Sequence, residues 1–157
     1  MQGLYTLKQA CEQRQLWKQQ GKRLVFTNGC FDLLHPGHIT YLNDAKALGD
    51  VLVVGLNDDH SIHRLKGDLR PINPLQDRAY MLAALKAVDM VVVFSEDTPL
   101  NLIQALEPDV LVKGGDYTVE NIVGAQAVQS LGGEVRVIPF LEGYSSSALI
   151  ERIRAIE

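Results

Sequence analysis

Two histidines set three residues apart, His35 and His38, flank Pro36-Gly37 directly after the segment Thr27-Asn28-Gly29-Cys30-Phe31-Asp32-Leu33-Leu34. An imidazole N–H donates to a phosphoryl oxygen, and the charge on that acceptor strengthens the bond. The apolar run Leu24-Val25-Phe26 ends just upstream, and a helical pattern begins near Gly37 with Ile39, Leu42, Ala45 and Leu48. A helix start presents free backbone N–H groups and the positive end of the dipole, so an anion settles there without a charged side chain. Gly37 carries no Cβ to block close approach, and the three-residue spacing leans both imidazoles toward the same anion. A lone histidine at a helix start is as often a cap or a surface filler. Two of them around Pro-Gly after a strand point instead to the handling of nucleotide phosphates. All four histidines fall in H-x-x-H pairs, His35/His38 and His60/His63. Zinc needs about four N, S or O ligands, and no cysteine pair accompanies these, so no metal site built by protein alone is expected.

Such histidines need a scaffold. The runs Leu24 to Phe26, Val51 to Leu56, Met90 to Phe94, Val110 to Lys113 and Val135 to Pro139 are almost continuously apolar, as strands are when helices cover both faces of a parallel sheet. The pattern predicts an α/β fold, a Rossmann-like doubly wound five-stranded parallel sheet with helices on both faces. Thr6 with Gln9 makes a capping box before a helix from Leu7 to Gln20, which Gly21 closes. Asn73-Pro74 opens a further helix, Gly132-Gly133 ends another, and Ser145-Ser146-Ser147 precedes a last one over about 148–156. With 157 residues, 46% hydrophobic and 22% charged, one domain able to bury its own core is expected over 1–157, with an N-terminal helix in 1–21 and the catalytic core in 23–157. A net charge of −4 argues against nucleic acid or an acidic membrane as partner, leaving small-molecule substrates. Two cysteines make no disulfide framework, no basic-then-apolar leader opens the chain, and no apolar run nears the ~20 residues that span a bilayer. A cytoplasmic location follows as the expectation.

In such sheets ligands lie beyond the carboxyl ends of the strands, where the strand order reverses. That rule gathers Thr27 to His38, Asn57-Asp58-Asp59, Lys113-Gly114-Gly115-Asp116 and Gly143-Tyr144-Ser145-Ser146-Ser147 on one rim. The serines offer hydroxyls and backbone amides to a terminal phosphate, although a plain N-cap explains Ser145 equally well. Lys113 and the glycines after it allow a base or ribose to approach, and Asp116 suits ribose hydroxyls or Mg²⁺. The stretch His63 to Pro71 reads as a basic, mobile loop whose Arg64 and Lys66 fold over a substrate phosphate; exposed basic loops are otherwise simply solvated. Arg78, on the helix after Pro74, is a further cation for the site, and Lys46 is assigned to the surface. Cys30 lies within the motif without a neighbouring base and reads as a packing residue. No G-x-G-x-x-G follows the first strand, and neither a G-x-x-x-x-G-K-[ST] nor a G-x-S-x-G occurs, which excludes the dinucleotide, P-loop and hydrolase-elbow fingerprints.

His35-Pro36-Gly37-His38 and Ser145-Ser146-Ser147 resemble the two signatures of the HxGH nucleotidyltransferases, the superfamily that includes the cytidylyltransferases and phosphopantetheine adenylyltransferase; the similarity runs from about Arg23 to the end. Within it, Thr27 to Asp32, Arg64 to Asp68 with Arg70-Pro71, Glu96-Asp97-Thr98-Pro99 and Leu111 to Tyr117 are similar to the adenylyltransferases of ADP-heptose synthesis. The resemblance implies transfer of AMP from ATP, with Mg²⁺, to D-glycero-β-D-manno-heptose 1-phosphate and release of pyrophosphate. It implies His35 and His38 on the α- and β-phosphate oxygens, and the backbone of Thr27, Asn28, Gly29, Cys30 and Phe31, with Gly37, around the triphosphate. Lys66, Arg64 and Arg78 would meet the acceptor phosphate and leaving pyrophosphate, with Asp59 beside the acceptor. Lys113, Gly114, Asp116 and Ser145 to Ser147 complete the nucleotide contacts, and Asp32 orients a histidine or the loop or is a buried structural aspartate. This domain is often fused behind a sugar kinase; Met1 lies shortly before the first strand, as in a free-standing form, and such forms often pair, so a homodimer is expected. Tyr144 departs from the smaller residue expected there and bears on sugar choice. A cytidylyltransferase acting on an alcohol phosphate such as glycerol 3-phosphate shares the chemistry, and a non-catalytic nucleotide or zinc module is the alternative of another class.

Overall fold

The structure is a computed structural model that describes residues 1–156. In chain order the elements are β1 (Leu4–Tyr5), α1 (Leu7–Gln19), β2 (Leu24–Gly29), α2 (Pro36–Lys46), β3 (Val51–Asn57), α3 (Asp59–Lys66), α4 (Leu75–Ala83), β4 (Met90–Phe94), α5 (Leu100–Leu106), β5 (Val110–Gly114), a 3-10 turn (Val119–Asn121), α6 (Ala125–Ser130), β6 (Glu134–Ile138) and α7 (Ser146–Arg154). The strands pair in parallel in the order β1-β4-β3-β2-β5-β6. Alternate residues serve opposite faces. Leu24, Phe26, Val51 and Val53 join Trp17 of α1, Leu106 of α5 and Val128 of α6 in one core. Val25, Leu52, Val54 and Leu56 pack with Leu42 of α2 and Leu82 of α4 in the second. Burial on both faces is why these strands read as unbroken apolar runs. No described helix is long and apolar enough to cross a membrane.

Two departures from the sequence reading matter. The sheet has six strands rather than five, because Leu4 and Tyr5 pair with Val91 and Val92 along the free edge of β4. A two-residue strand carries no periodic signal and exists only because that edge offers unpaired backbone groups. The stretch from His63 is also not a loop throughout. Residues 63–66 are the last turn of α3, which Asp58 caps through the amide of Ser61 at 2.8 Å and which ends at Gly67, φ 93°.

Arg14, 2% exposed, fastens α1 to this frame. Its Nε donates to the Leu106 carbonyl at 3.0 Å, and its Nη2 donates to the Glu107 carbonyl at 2.7 Å and to Asp109 Oδ2 at 3.2 Å. The same Asp109 oxygen accepts the amide of Leu24 at 2.7 Å, so one guanidinium joins α1, the end of α5 and the start of β2. Replacing Arg14 by Ala leaves two carbonyls and a carboxylate short of donors. The expected loss is about 2–4 kcal/mol of unfolding free energy, read by urea denaturation.

Candidate active site

A cleft of about 680 Å³ opens at the carboxyl ends of β2 and β5, the point at which the strand order reverses. Its wall is the connection from β2 to α2. Phe31 (φ 47°) and Leu33 (φ 53°) both take left-handed backbone there, a conformation that costs a non-glycine residue of order 1–3 kcal/mol. The turn is held by what surrounds it. A Cβ on Gly29 would stand 2.9 Å from the Phe31 ring, so glycine lets that ring fold back against the strand. Asp32, 2% exposed, accepts the amide of Ile72 (2.6 Å) and the Arg70 Nε (3.2 Å) on Oδ2, and the amide of Asn73 (2.9 Å) on Oδ1.

The histidines stand together at the start of α2. His35 is its N-cap residue and Pro36 its first residue. The two rings stack, with centroids 3.8 Å apart and planes at 27°, and Phe31 lies 5.6 Å from the His38 ring. Tyr144 runs nearly parallel to His35 at 6.1 Å. Gly37 is needed for this packing more directly than for anion approach, since a Cβ there would meet His35 Cε1 at 2.8 Å and Tyr144 Cβ at 3.1 Å.

The backbone N–H of His35 donates to His38 Nδ1 at 3.2 Å. Burial, with His35 and Lys66 nearby, pushes His38 down to about 4 against the opposing pull of Asp32. Burial also lowers His35. Both imidazoles are therefore neutral at pH 7, and an Nδ1 that accepts a hydrogen bond leaves the proton of His38 on Nε2 as a donor. His35 Nδ1 is buried and has no partner among the described residues.

The remaining residues sort by position. Asn28, Gly29, Cys30, Phe31, Asp32, Gly37, Lys66, Lys113, Gly114 and Ser145 to Ser147 line the cleft. Thr27 does not: it is wholly buried, its Oγ1 2.6 Å from the Tyr41 hydroxyl, which burial raises to about 12. Ser145 Oγ caps α7 through the Ala148 amide at 3.0 Å, and Ser146 Oγ donates to the Asp32 carbonyl at 2.7 Å. Asp116 is exposed and lies off the lining.

Three expected cations and partners are corrected. Arg78 is fully buried, donating to the carbonyls of Asn73, Cys30 and Asn57 and to Asp59 Oδ1 at 2.7 Å, so it braces the floor and does not line the cleft. Asp59 is spent on that pair and on the Leu75 amide, and it does not line the cleft. Arg64 is off the lining and pairs with Asp97 Oδ1, a carboxylate of the cleft wall, at 2.8 Å and donates to the Ser95 carbonyl. Helical periodicity in α3 puts Arg64 and Lys66 just over half a turn apart, on opposite faces, which a mobile-loop reading hides. The sequence reading missed Arg70, Tyr41, Tyr117 and Phe140, which line the cleft. Phe140 lies over Gly114 and Gly115, where a Cβ would come within 2.8 Å of its ring. Only the Gly-Gly pair hinted at such a close approach.

A histidine whose folded value lies below its unfolded one leaves the unfolded chain binding more protons between about 4 and 6.5, so stability rises with pH through that window and is lost on acidification. We expect wild-type protein to lose more stability than His38→Gln between pH 7 and pH 5 in urea denaturation; parallel curves would show that His38 titrates freely.

The sequence pattern of the cytidylyltransferase-like family matches residues 26–152, a span that contains both histidines and the serines. The bifunctional protein HldE of Geobacter sulfurreducens is 59% identical over 136 residues, 87% of this chain and 28% of that protein. HldE of Helicobacter pylori is 61% identical over 133 residues, 85% of this chain and 28% of that protein. The chain thus spans under a third of the length of these curated relatives. A lipopolysaccharide core biosynthesis protein from Thermoplasma volcanium superposes with a TM-score of 0.62 at 31% identity, covering 80% of this chain and 100% of its own. A pantoate-beta-alanine ligase from Francisella tularensis, solved in complex with beta-gamma ATP and beta-alanine, shares the fold at a TM-score of 0.65 and 22% identity, over 99% of this chain and 78% of its own. With its histidine pair inside the matched span, at the switch point of a parallel sheet, the chain belongs to the cytidylyltransferase-like family.

Proposed function

We propose that the chain transfers AMP from ATP to a sugar 1-phosphate, D-glycero-β-D-manno-heptose 1-phosphate, giving ADP-heptose and pyrophosphate. The observation that carries this reading is the pair of stacked, neutral imidazoles at a helix start, beside a cleft with Lys66 and Lys113 on its lining. The likeness to HldE over 87% of the chain supports the sugar acceptor over an alcohol phosphate.

An acceptor phosphate oxygen is already a nucleophile. It attacks the α-phosphorus, the bond from that phosphorus to the bridging oxygen breaks, and pyrophosphate leaves with the electron pair. No covalent enzyme intermediate and no strong base are required, so alignment and charge stabilisation supply the rate. Neutral His38 gives an Nε2–H to the non-bridging oxygens, His35 lies against it, and the amides at the start of α2 add their dipole. Lys66 supplies a full positive charge on the same side. Among the cleft carboxylates, Asp32 already accepts three donors and Asp97 is paired with Arg64, so Mg²⁺ fits best as an ion carried on the nucleotide phosphates and water. When bound it would neutralise charge on the triphosphate. The same reading places the reaction in the cytoplasm.

Pyrophosphate release measured across ATP, CTP and a panel of sugar 1-phosphates and glycerol 3-phosphate is expected to favour ATP with the heptose phosphate. Preference for CTP would select the cytidylyltransferase reading, and tight binding without release the non-catalytic one. His38→Ala should lower kcat about 10²- to 10³-fold with little change in Tm, as removal of a preorganised donor does. Lys66→Ala should raise the sugar-phosphate KM and lower kcat; unchanged kinetics would return Lys66 to a solvated role.

A further inference from the structure

Arg70 occupies a place that no expectation gave it. It lines the cleft, and its side chain is 15% exposed against a wholly buried Asp32 carboxylate. Only its Nε is used within the protein, on Asp32 Oδ2 at 3.2 Å. Among the described residues its two Nη groups have no partner, and they are not sealed in. Among the described residues, the buried side-chain nitrogens left unpaired belong to Arg14 and His35.

An arginine held in this way is a directed receptor. Asp32 fixes one edge of the guanidinium, and two further donors to Asp32 come from the Ile72 and Asn73 amides, so the segment that carries Arg70 is tied to the same carboxylate. The free edge keeps its planar fork, which matches two oxygens of a phosphoryl group. Rotamer entropy that a free arginine would lose on binding is already lost in the folded protein. Of the guanidiniums the sequence suggests for this task, Arg78 is buried with Nε and both Nη groups engaged, and Arg64 spends Nε and Nη2 on Asp97 and the Ser95 carbonyl and does not line the cleft.

We propose that Arg70, aimed by Asp32, is the guanidinium that grips a phosphoryl group of the substrates in this cleft, with Lys66 as the second cation. The assignment rests on the nucleotidyl-transfer reading for its choice of ligand. Asp32 is then a positioning residue, and Arg70 touches substrate. The gripped phosphoryl group belongs either to the donor's β,γ-unit, which leaves as pyrophosphate, or to the acceptor's monophosphate.

Calorimetric titration of the whole chain with pyrophosphate and with inorganic phosphate tests this without turnover, so the result stands even if the wild type forms no nucleotide sugar. Arg70→Lys keeps the charge that neutralises Asp32 but cannot both hold that carboxylate and present a fork. It is expected to keep Tm within a few degrees of wild type and to lose tenfold or more in affinity for at least one probe. Loss for pyrophosphate and for ATP assigns the donor's phosphates; loss for inorganic phosphate, with a raised acceptor KM and unchanged ATP affinity, assigns the acceptor. Wild-type affinity for both probes in Arg70→Lys would overturn the proposal and leave the residue as a structural counter-charge. Should that variant fold poorly, Arg70→Gln, which retains a donor to Asp32, is expected to show the same loss, and its binding like wild type would likewise overturn it.

Discussion

One buried carboxylate organises the cleft. Asp32 sits on the strained turn after β2, and burial of a charge that far from water is tolerable only when donors replace the lost hydration. Two backbone amides and a guanidinium do so, all from residues 70–73, while the Asp32 carbonyl accepts the hydroxyl of Ser146 at the start of α7. Three segments far apart in sequence are thereby fixed around one residue. The left-handed backbone of Phe31 and Leu33 on either side is the conformational cost of aiming the Asp32 side chain inward.

The histidine pair depends on that frame. Stacked at 3.8 Å, two imidazolium ions would repel strongly, so the arrangement persists because both rings are neutral. Burial and the nearby Lys66 disfavour the charged form of His38, and the Asp32 charge opposes them less than they combine. A neutral donor is suited to a phosphoryl centre: it stabilises added negative charge in the transition state without demanding a proton transfer from a nucleophile that carries none.

Several groups that look chemical by residue type are structural by position. Arg78 spends its donors on three carbonyls and Asp59, and in doing so joins the ends of β2 and β3 to the start of α4. Thr27 is sealed beneath Tyr41. Such residues hold the cleft's shape, which the proposed alignment of two phosphates would require.

The sequence by itself determined the α/β class, the five longer strands and the histidine motif, because these rest on local signals: continuous apolar runs, a Pro-Gly at a helix start, and serines before the last helix. It also determined which rim carries the cleft, since strand ends and connection order follow from those runs. Tertiary structure alone decided the sixth strand, because Leu4 and Tyr5 become a strand only against the edge of β4. It alone decided which cations face the cleft. Arg64, Arg70 and Arg78 are equivalent in composition and lie within one stretch of chain, and only packing sends the first to Asp97, buries the third and sets the second on the cleft lining. Side-chain direction at that resolution is set by partners some twenty to forty residues away, Asp32 above all, and no local pattern encodes a partner at that distance.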